Sequence, residues 1–151
     1  MVIVSACLAG FCCRYDGKSN RDERVVDLVR SGRALPVCPE QLGGLATPRN
    51  CCEIRIQGGS RRVINSEGQD VTGAFERGAL EVAKLAEIYG IRCALLQERS
   101  PSCGVNRVYD GTFSGKLIPG KGITAGLLEE KGVILFTPGE MDELVRYLTG
   151  K

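Results

Sequence analysis

Cysteine is the residue type most able to carry chemistry in this chain, because it is frequent and histidine does not occur at all. Without histidine, a His-containing catalytic triad, a His-ligated zinc site and an imidazole general base are excluded. A site for a thiophilic metal would therefore depend on thiolates. The eight cysteines are Cys7, Cys12, Cys13, Cys38, Cys51, Cys52, Cys93 and Cys103.

The spacing of these cysteines excludes the short metal and redox motifs. No two of them are separated by two residues, so a thioredoxin pair, a zinc-ribbon knuckle and the ferredoxin spacing are missing. A metal site would have to be assembled from separate loops. Converging thiolates without histidine select an iron–sulfur cluster, Cu(I) or zinc. Three ligands on a four-iron cluster would leave one iron open to a substrate.

Two polar segments lie beside cysteines and could handle protons. Residues 98–104 read ERSPSCG and include Ser100, Ser102 and Cys103, and Glu40 follows Cys38 after one proline. A carboxylate close to an anionic cluster suits proton transfer near neutral pH. The alternatives are a polar turn for residues 98–104 and a surface glutamate for Glu40. Cys93 lies among apolar residues and is expected in the core.

Strands that alternate with helices predict how these residues are positioned. We expect a three-layer α/β/α domain over residues 1–151, Rossmann-like, around a small and mostly parallel sheet with a short β-hairpin insertion. The sequence predicts strands at 2–6, 34–38, 91–96 and 133–136, a hairpin at 53–57 and 61–64, and helices at 21–30, 73–89, 123–131 and 137–148. Because parallel strands place sites beyond their carboxyl ends, we expect Cys7, Cys38 and Cys103 to converge there.

Composition limits the partners of the chain. The net charge of +2, the four Phe and four Tyr residues and the missing Trp argue against a nucleic-acid footprint and base-stacking platforms. No apolar run approaches the ~20 residues of a membrane span, and the N-terminus does not resemble a signal peptide. These features favour a cytoplasmic protein without a membrane partner. The sequence contains no pattern that indicates a particular oligomeric state.

Six sequence blocks together resemble the thiouracil desulfurase family. They are SACLAG at 5–10, CRYDG at 13–17, VCPEQLGGL at 37–45, TPR at 47–49, ERSPSCG at 98–104 and YDGTF at 109–113. The resemblance implies a 4Fe–4S cluster held by three cysteines with one iron free, and a non-redox hydrolytic release of sulfide from a thiolated pyrimidine such as thiouracil. Because the chain ends at Lys151, without the second domain that some relatives have, a free base or nucleoside is favoured over tRNA.

The resemblance also implies roles for particular residues. Cys7, Cys13, Cys38 and Cys103 match family motif positions, which gives four candidates for three cluster ligands. Glu40 and Ser100 match the positions expected to handle protons, with Ser102 as a substitute for Ser100. Cys12 and the pair Cys51-Cys52 depart from the family pattern. They could supply an alternative ligand, a sulfur relay or a disulfide. The alternative functions are a metal-binding or sulfur-relay protein that holds zinc, copper or persulfide, and a redox-sensing or structural protein with disulfides.

Overall fold

The computed structural model of the protein describes residues 1–150. Its strands are β1 (Val2–Ser5), β2 (Ala34–Val37), β3 (Cys52–Gln57), β4 (Ser60–Asn65), β5 (Cys93–Leu95), β6 (Arg107–Tyr109), β7 (Leu117–Pro119) and β8 (Ile134–Phe136). Its helices are α1 (Glu23–Arg30), α2 (Pro39–Leu42), α3 (Thr72–Tyr89), α4 (Ile123–Glu130) and α5 (Met141–Thr149), with 3₁₀ turns at Ala6–Ala9 and Pro138–Glu140. No helix among residues 1–150 has the length and apolar character that crossing a membrane requires.

The central sheet contains four parallel strands in the order β2-β1-β5-β8. The sequence places a proline, Pro36, within β2. Proline lacks the N–H that a central strand must donate to its neighbour, and β2 lies at the edge of the sheet, paired with β1 alone. Because the strands are parallel, the carboxyl ends of β1, β2 and β5 meet at one rim of the sheet.

Helices cover both faces of this sheet, which confirms the predicted three-layer arrangement. Val2 and Val4 pack on one face with residues of α1 and α5. Ile3 points to the opposite face and packs with residues of α3 and α4. These three side chains have no exposed surface, and full burial of each contributes about 1.5–3 kcal/mol. Successive side chains of β1 thus pack into the apolar layers on opposite faces of the sheet.

Two antiparallel hairpins project from this core, and only one was predicted. The β3–β4 hairpin turns at Gly58 and Gly59, as the sequence indicated. The β6–β7 hairpin was not predicted, because its strands have three residues each and Pro119 ends the second. The last helix also differs, since the sequence predicts it from residue 137 and α5 begins at Met141, after a 3₁₀ turn.

The contact between α2 and α3 depends on two glycines that lack side chains. A Cβ atom at Gly78 would overlap the carbonyl oxygen of Pro39, and one at Gly43 would overlap that of Ala74. We therefore expect Gly78→Ala to lower the free energy of unfolding by about 3 kcal/mol, since the helices must separate. Urea denaturation followed by circular dichroism measures this.

Gly126 provides the matched control for that substitution. Gly126 lies within α4, and open space surrounds the position of its missing Cβ. Gly126→Ala should raise the free energy of unfolding by roughly 0.5–1 kcal/mol, because alanine favours the helix. Equal stability of the Gly78→Ala variant and the unaltered chain would contradict the close packing of α2 on α3.

Candidate active site

A cavity of about 490 Å³ lies at the rim where β1, β2 and β5 end. Residues directly after these strands line it, as expected for a parallel sheet. Six of the eight cysteines contribute to its wall, together with Glu40, Arg49 and Ser100. The six are Cys7, Cys13, Cys38, Cys51, Cys52 and Cys103. Cys93 is buried within β5, as the sequence predicted, and Cys12 is exposed.

Cys7 is positioned by the 3₁₀ turn that follows β1. The side-chain amide of Asn20 donates to its Sγ at 3.8 Å, and Arg14 donates to Asn20 Oδ1 at 2.7 Å. Burial raises the pKa of the Cys7 thiol, and the hydrogen bond from Asn20 opposes that shift. The amide thus favours the thiolate, which is the form that binds metals.

Cys13 and Cys38 lie against each other although 25 residues separate them. The Cys38 thiol donates to the Cys13 carbonyl oxygen at 3.8 Å. The closeness of the two thiols lowers the pKa of Cys38 and raises that of Cys13. Cys38 is therefore the more acidic of the two thiols.

Cys103 is held at the cavity by the start of α4. The N–H groups of Gly122 and Thr124 donate to the carbonyl oxygens of Gly104 and Ser102, at 2.8 and 2.9 Å. These bonds satisfy N–H groups at the helix start, which have no partner within a helix. The Cys103 side chain is buried, and this burial raises its pKa to about 12. Its thiolate hence needs a cation to stabilise it.

The two candidate serines have different surroundings in the structure. Ser100 lines the cavity, and its Oγ accepts hydrogen bonds from the backbone N–H groups of Ser102 and Cys103 at 3.1 and 3.0 Å. With both acceptor positions occupied, its O–H remains as a donor. Ser102 is 1% exposed and does not line the cavity. Its hydroxyl contacts that of Thr124 at 2.9 Å.

Glu40 forms a partly buried ion pair at the cavity wall. Arg49 Nε donates to Glu40 Oε2 at 2.6 Å, and the two side chains are 9% and 14% exposed. Arg49 also donates to the carbonyl oxygen of Cys13 at 2.8 Å and to Thr47 Oγ1 at 2.9 Å. The Arg49 guanidinium therefore fixes the Glu40 carboxylate relative to the loop that contains Cys13. Glu40 Oε1 is not part of the ion pair.

Comparison with known proteins assigns the chain to a family. A statistical model of the 2-thiouracil desulfurase family matches residues 2–140. The chain belongs to this family. It is 37% identical over 151 residues to the uncharacterized protein YbbK of Bacillus subtilis strain 168, covering 96% of this chain and all of YbbK. A solved structure of the [4Fe-4S]-dependent thiouracil desulfidase TudS shares 43% identity and superposes with a TM-score of 0.91, covering 99% of this chain and 98% of that one.

The donor set of this family member fits an iron–sulfur cluster. Cys7, Cys13, Cys38 and Cys103 lie around one cavity, and cysteine thiolates are the ordinary ligands of such clusters. Within residues 1–150, no three Cys, Asp or Glu side chains lie close enough to share a single metal ion. Ligands of a cluster bind different iron atoms, so thiols that reach one cavity from separate loops suit this group.

The contacts of three residues in this desulfurase-family site, namely Arg49, Asn20 and Glu98, were not predicted from the sequence. Arg49 was noted only as part of a TPR block, and its pairing with Glu40 depends on how residues 43–48 fold back. Asn20 contacts Cys7 from a loop without a sequence signal. Glu98 accepts backbone hydrogen bonds from Val105 and Asn106 at 2.8 and 2.9 Å, so it braces residues 98–106.

Proposed function

We propose that this protein is an iron–sulfur-dependent desulfidase that replaces the sulfur of a thiolated pyrimidine such as thiouracil by oxygen. One observation carries the proposal: four motif thiols, Glu40 and Ser100 line the same cavity. A site that only carried a metal or a persulfide would not need a partly buried carboxylate and an oriented hydroxyl. The family assignment and the likeness to TudS support the same reaction.

Cys7 and Cys103 are the proposed ligands at the ends of β1 and after β5, with a third taken from the pair Cys13 and Cys38. Cys38 Sγ lies 3.8 Å from the carbonyl oxygen of Cys13, so one of these cysteines can bind iron while the other remains a neighbour. When bound, a cluster with one iron free of protein ligands supplies a Lewis acid for the thiocarbonyl sulfur.

Glu40 and Ser100 then divide the proton transfers of a hydrolysis. Water supplies the oxygen, and the carbon–sulfur bond breaks to release sulfide, without net oxidation or reduction. Glu40 Oε1 accepts the proton of the attacking water, while Arg49 holds Oε2 at 2.6 Å. The Ser100 hydroxyl donates into the cavity, because its oxygen already accepts two backbone N–H groups.

A small substrate suits the dimensions of this site. A volume of about 490 Å³ lies within the range of pockets that enclose small molecules. We therefore favour a free thiolated base or nucleoside over tRNA as the substrate. Cys51 and Cys52 add thiols to the wall, and burial raises the pKa of Cys52 to about 12, so it stays protonated.

Anaerobic turnover tests the proposed function. The protein is reconstituted with iron and sulfide, freed of excess reagents and supplied with 2-thiouracil or 4-thiouracil. Sulfide release and loss of thiocarbonyl absorbance should occur together, and protein without iron should show neither. A bound cluster that releases no sulfide from either compound would contradict the proposal and favour a metal or sulfur carrier.

Ser100→Ala should lower the turnover rate about 10²-fold, because the only hydroxyl donor assigned to the reaction is removed. Iron content should not change, since the serine is not a ligand. Ser102→Ala is the matched comparison: its rate should stay within a few-fold, while the lost bond to Thr124 lowers stability by about 1 kcal/mol. A larger rate loss in Ser102→Ala than in Ser100→Ala would reverse the assignment.

A further inference from the structure

Phe113 has an unusual backbone conformation at the wall of the cavity. It lies in the segment between β6 and β7 with φ +56°. Among residues 1–150, the only non-glycine residues with positive φ are Arg99 and Phe113, and both line the cavity. Side chains disfavour this conformation, and residues that keep it against that cost cluster at functional sites.

Buried contacts from β3 hold Phe113 in this conformation. Glu53 is 8% exposed, and its Oε1 accepts from the backbone N–H groups of Gly111 and Phe113 at 3.0 and 3.1 Å. Gly111 has φ +92°, and a Cβ there would lie 2.7 Å from the carbonyl oxygen of Ile54. The segment is therefore fixed against β3 by a buried carboxylate and by close backbone contact.

Arg55 completes the support of the ring. Its Nη2 and Nε donate to the carbonyl oxygen of Gly111 at 2.8 and 3.1 Å. Its guanidinium carbon lies 6.0 Å from the centre of the Phe113 ring, which is cation–π distance. Arg55 does not line the cavity whereas Phe113 does. The guanidinium thus lies next to the ring without itself lining the cavity.

We propose that Phe113 is a specificity-determining residue whose ring stacks on the planar heterocycle of the substrate. This inference rests on the proposed function, since it assumes a flat aromatic substrate in this cavity. An aromatic side chain that is fixed before binding loses little freedom when a base stacks on it. Stacking requires only a π-face, so it selects flat heterocycles from other thiocarbonyl compounds.

Substitutions that keep or remove the aromatic ring test the stacking. Phe113→Leu should raise KM for 2-thiouracil roughly tenfold with kcat changed less than about threefold, since the stacked contact binds substrate and transition state alike. Phe113→Tyr keeps the ring and should restore KM to within about twofold. Iron content should be the same in all three proteins. An unchanged KM in Phe113→Leu, or an equal loss in Phe113→Tyr, would overturn the inference.

A binding measurement without turnover separates this inference from the proposed reaction. The chain contains no Trp, so Phe113→Trp introduces a single fluorescent reporter, and Tyr89→Trp at the exposed end of α3 is the control. Saturating uracil, which has no sulfur to release, should quench the first variant only. No quenching, or equal quenching in both, would overturn stacking by Phe113. Failure of the unaltered protein to release sulfide would instead overturn the reaction, whatever the fluorescence shows.

Discussion

Replacing Glu40 by glutamine should lower the rate of desulfuration by about 10²- to 10⁴-fold. The glutamine retains the size of the side chain, and its carbonyl oxygen still accepts the hydrogen bond that Arg49 now donates at 2.6 Å. The position that accepts a proton from water is lost. Binding of substrate and of iron should change little, so the loss should appear in kcat.

Single-turnover kinetics with 2-thiouracil measure this effect on protein of known iron content. Glu130→Gln, an exposed substitution at the end of α4, controls for the change in net charge and should keep the full rate. A Glu40→Gln variant with full activity would remove this carboxylate from the mechanism. A variant that lost its iron would make Glu40 a structural support of the cluster instead.

Cys103→Ser should abolish binding of the cluster. The serine oxygen is a poor ligand for iron in a site of soft thiolates, and Cys103 is buried at the wall of the cavity. After anaerobic reconstitution, the iron and acid-labile sulfide content of this variant should be close to that of protein that was never reconstituted. Turnover should be lost with them.

Cys12→Ser is the matched control for this substitution, because Cys12 is exposed and does not line the cavity. It should bind the full amount of iron. Circular dichroism should show folded Cys103→Ser, since both faces of the sheet are packed with apolar side chains that need no metal. Unchanged iron and sulfide stoichiometry in Cys103→Ser would exclude this cysteine as a ligand.

The convergence of distant cysteines could be predicted because it follows from sheet geometry. Cys7, Cys38 and Cys103 follow strands that the apolar sequence runs indicate, and parallel strands present their carboxyl ends at one rim. The structure brings all three to the same cavity. Pro36 also indicates an edge position for its strand, because proline cannot donate a ladder hydrogen bond, and β2 lies at the edge of the sheet.

Other parts of the site could not be predicted because they depend on loop conformation. Ser100 and Ser102 have the same chemistry and lie two residues apart, yet one lines the cavity and the other is buried against Thr124. The turn that decides between them depends on its packing against α4. Likewise, Arg49 reaches Glu40 only because residues 43–48 fold back towards α2. No periodicity in the sequence encodes either contact.

The most direct test of the account is turnover of 2-thiouracil in water labelled with heavy oxygen, under anaerobic conditions and without an added reductant. We expect one sulfide for each uracil formed, and uracil that carries the label in mass spectra. Both results should require the bound cluster. Release of sulfide only when a reductant is supplied, or uracil without the label, would contradict a hydrolytic reaction at this site.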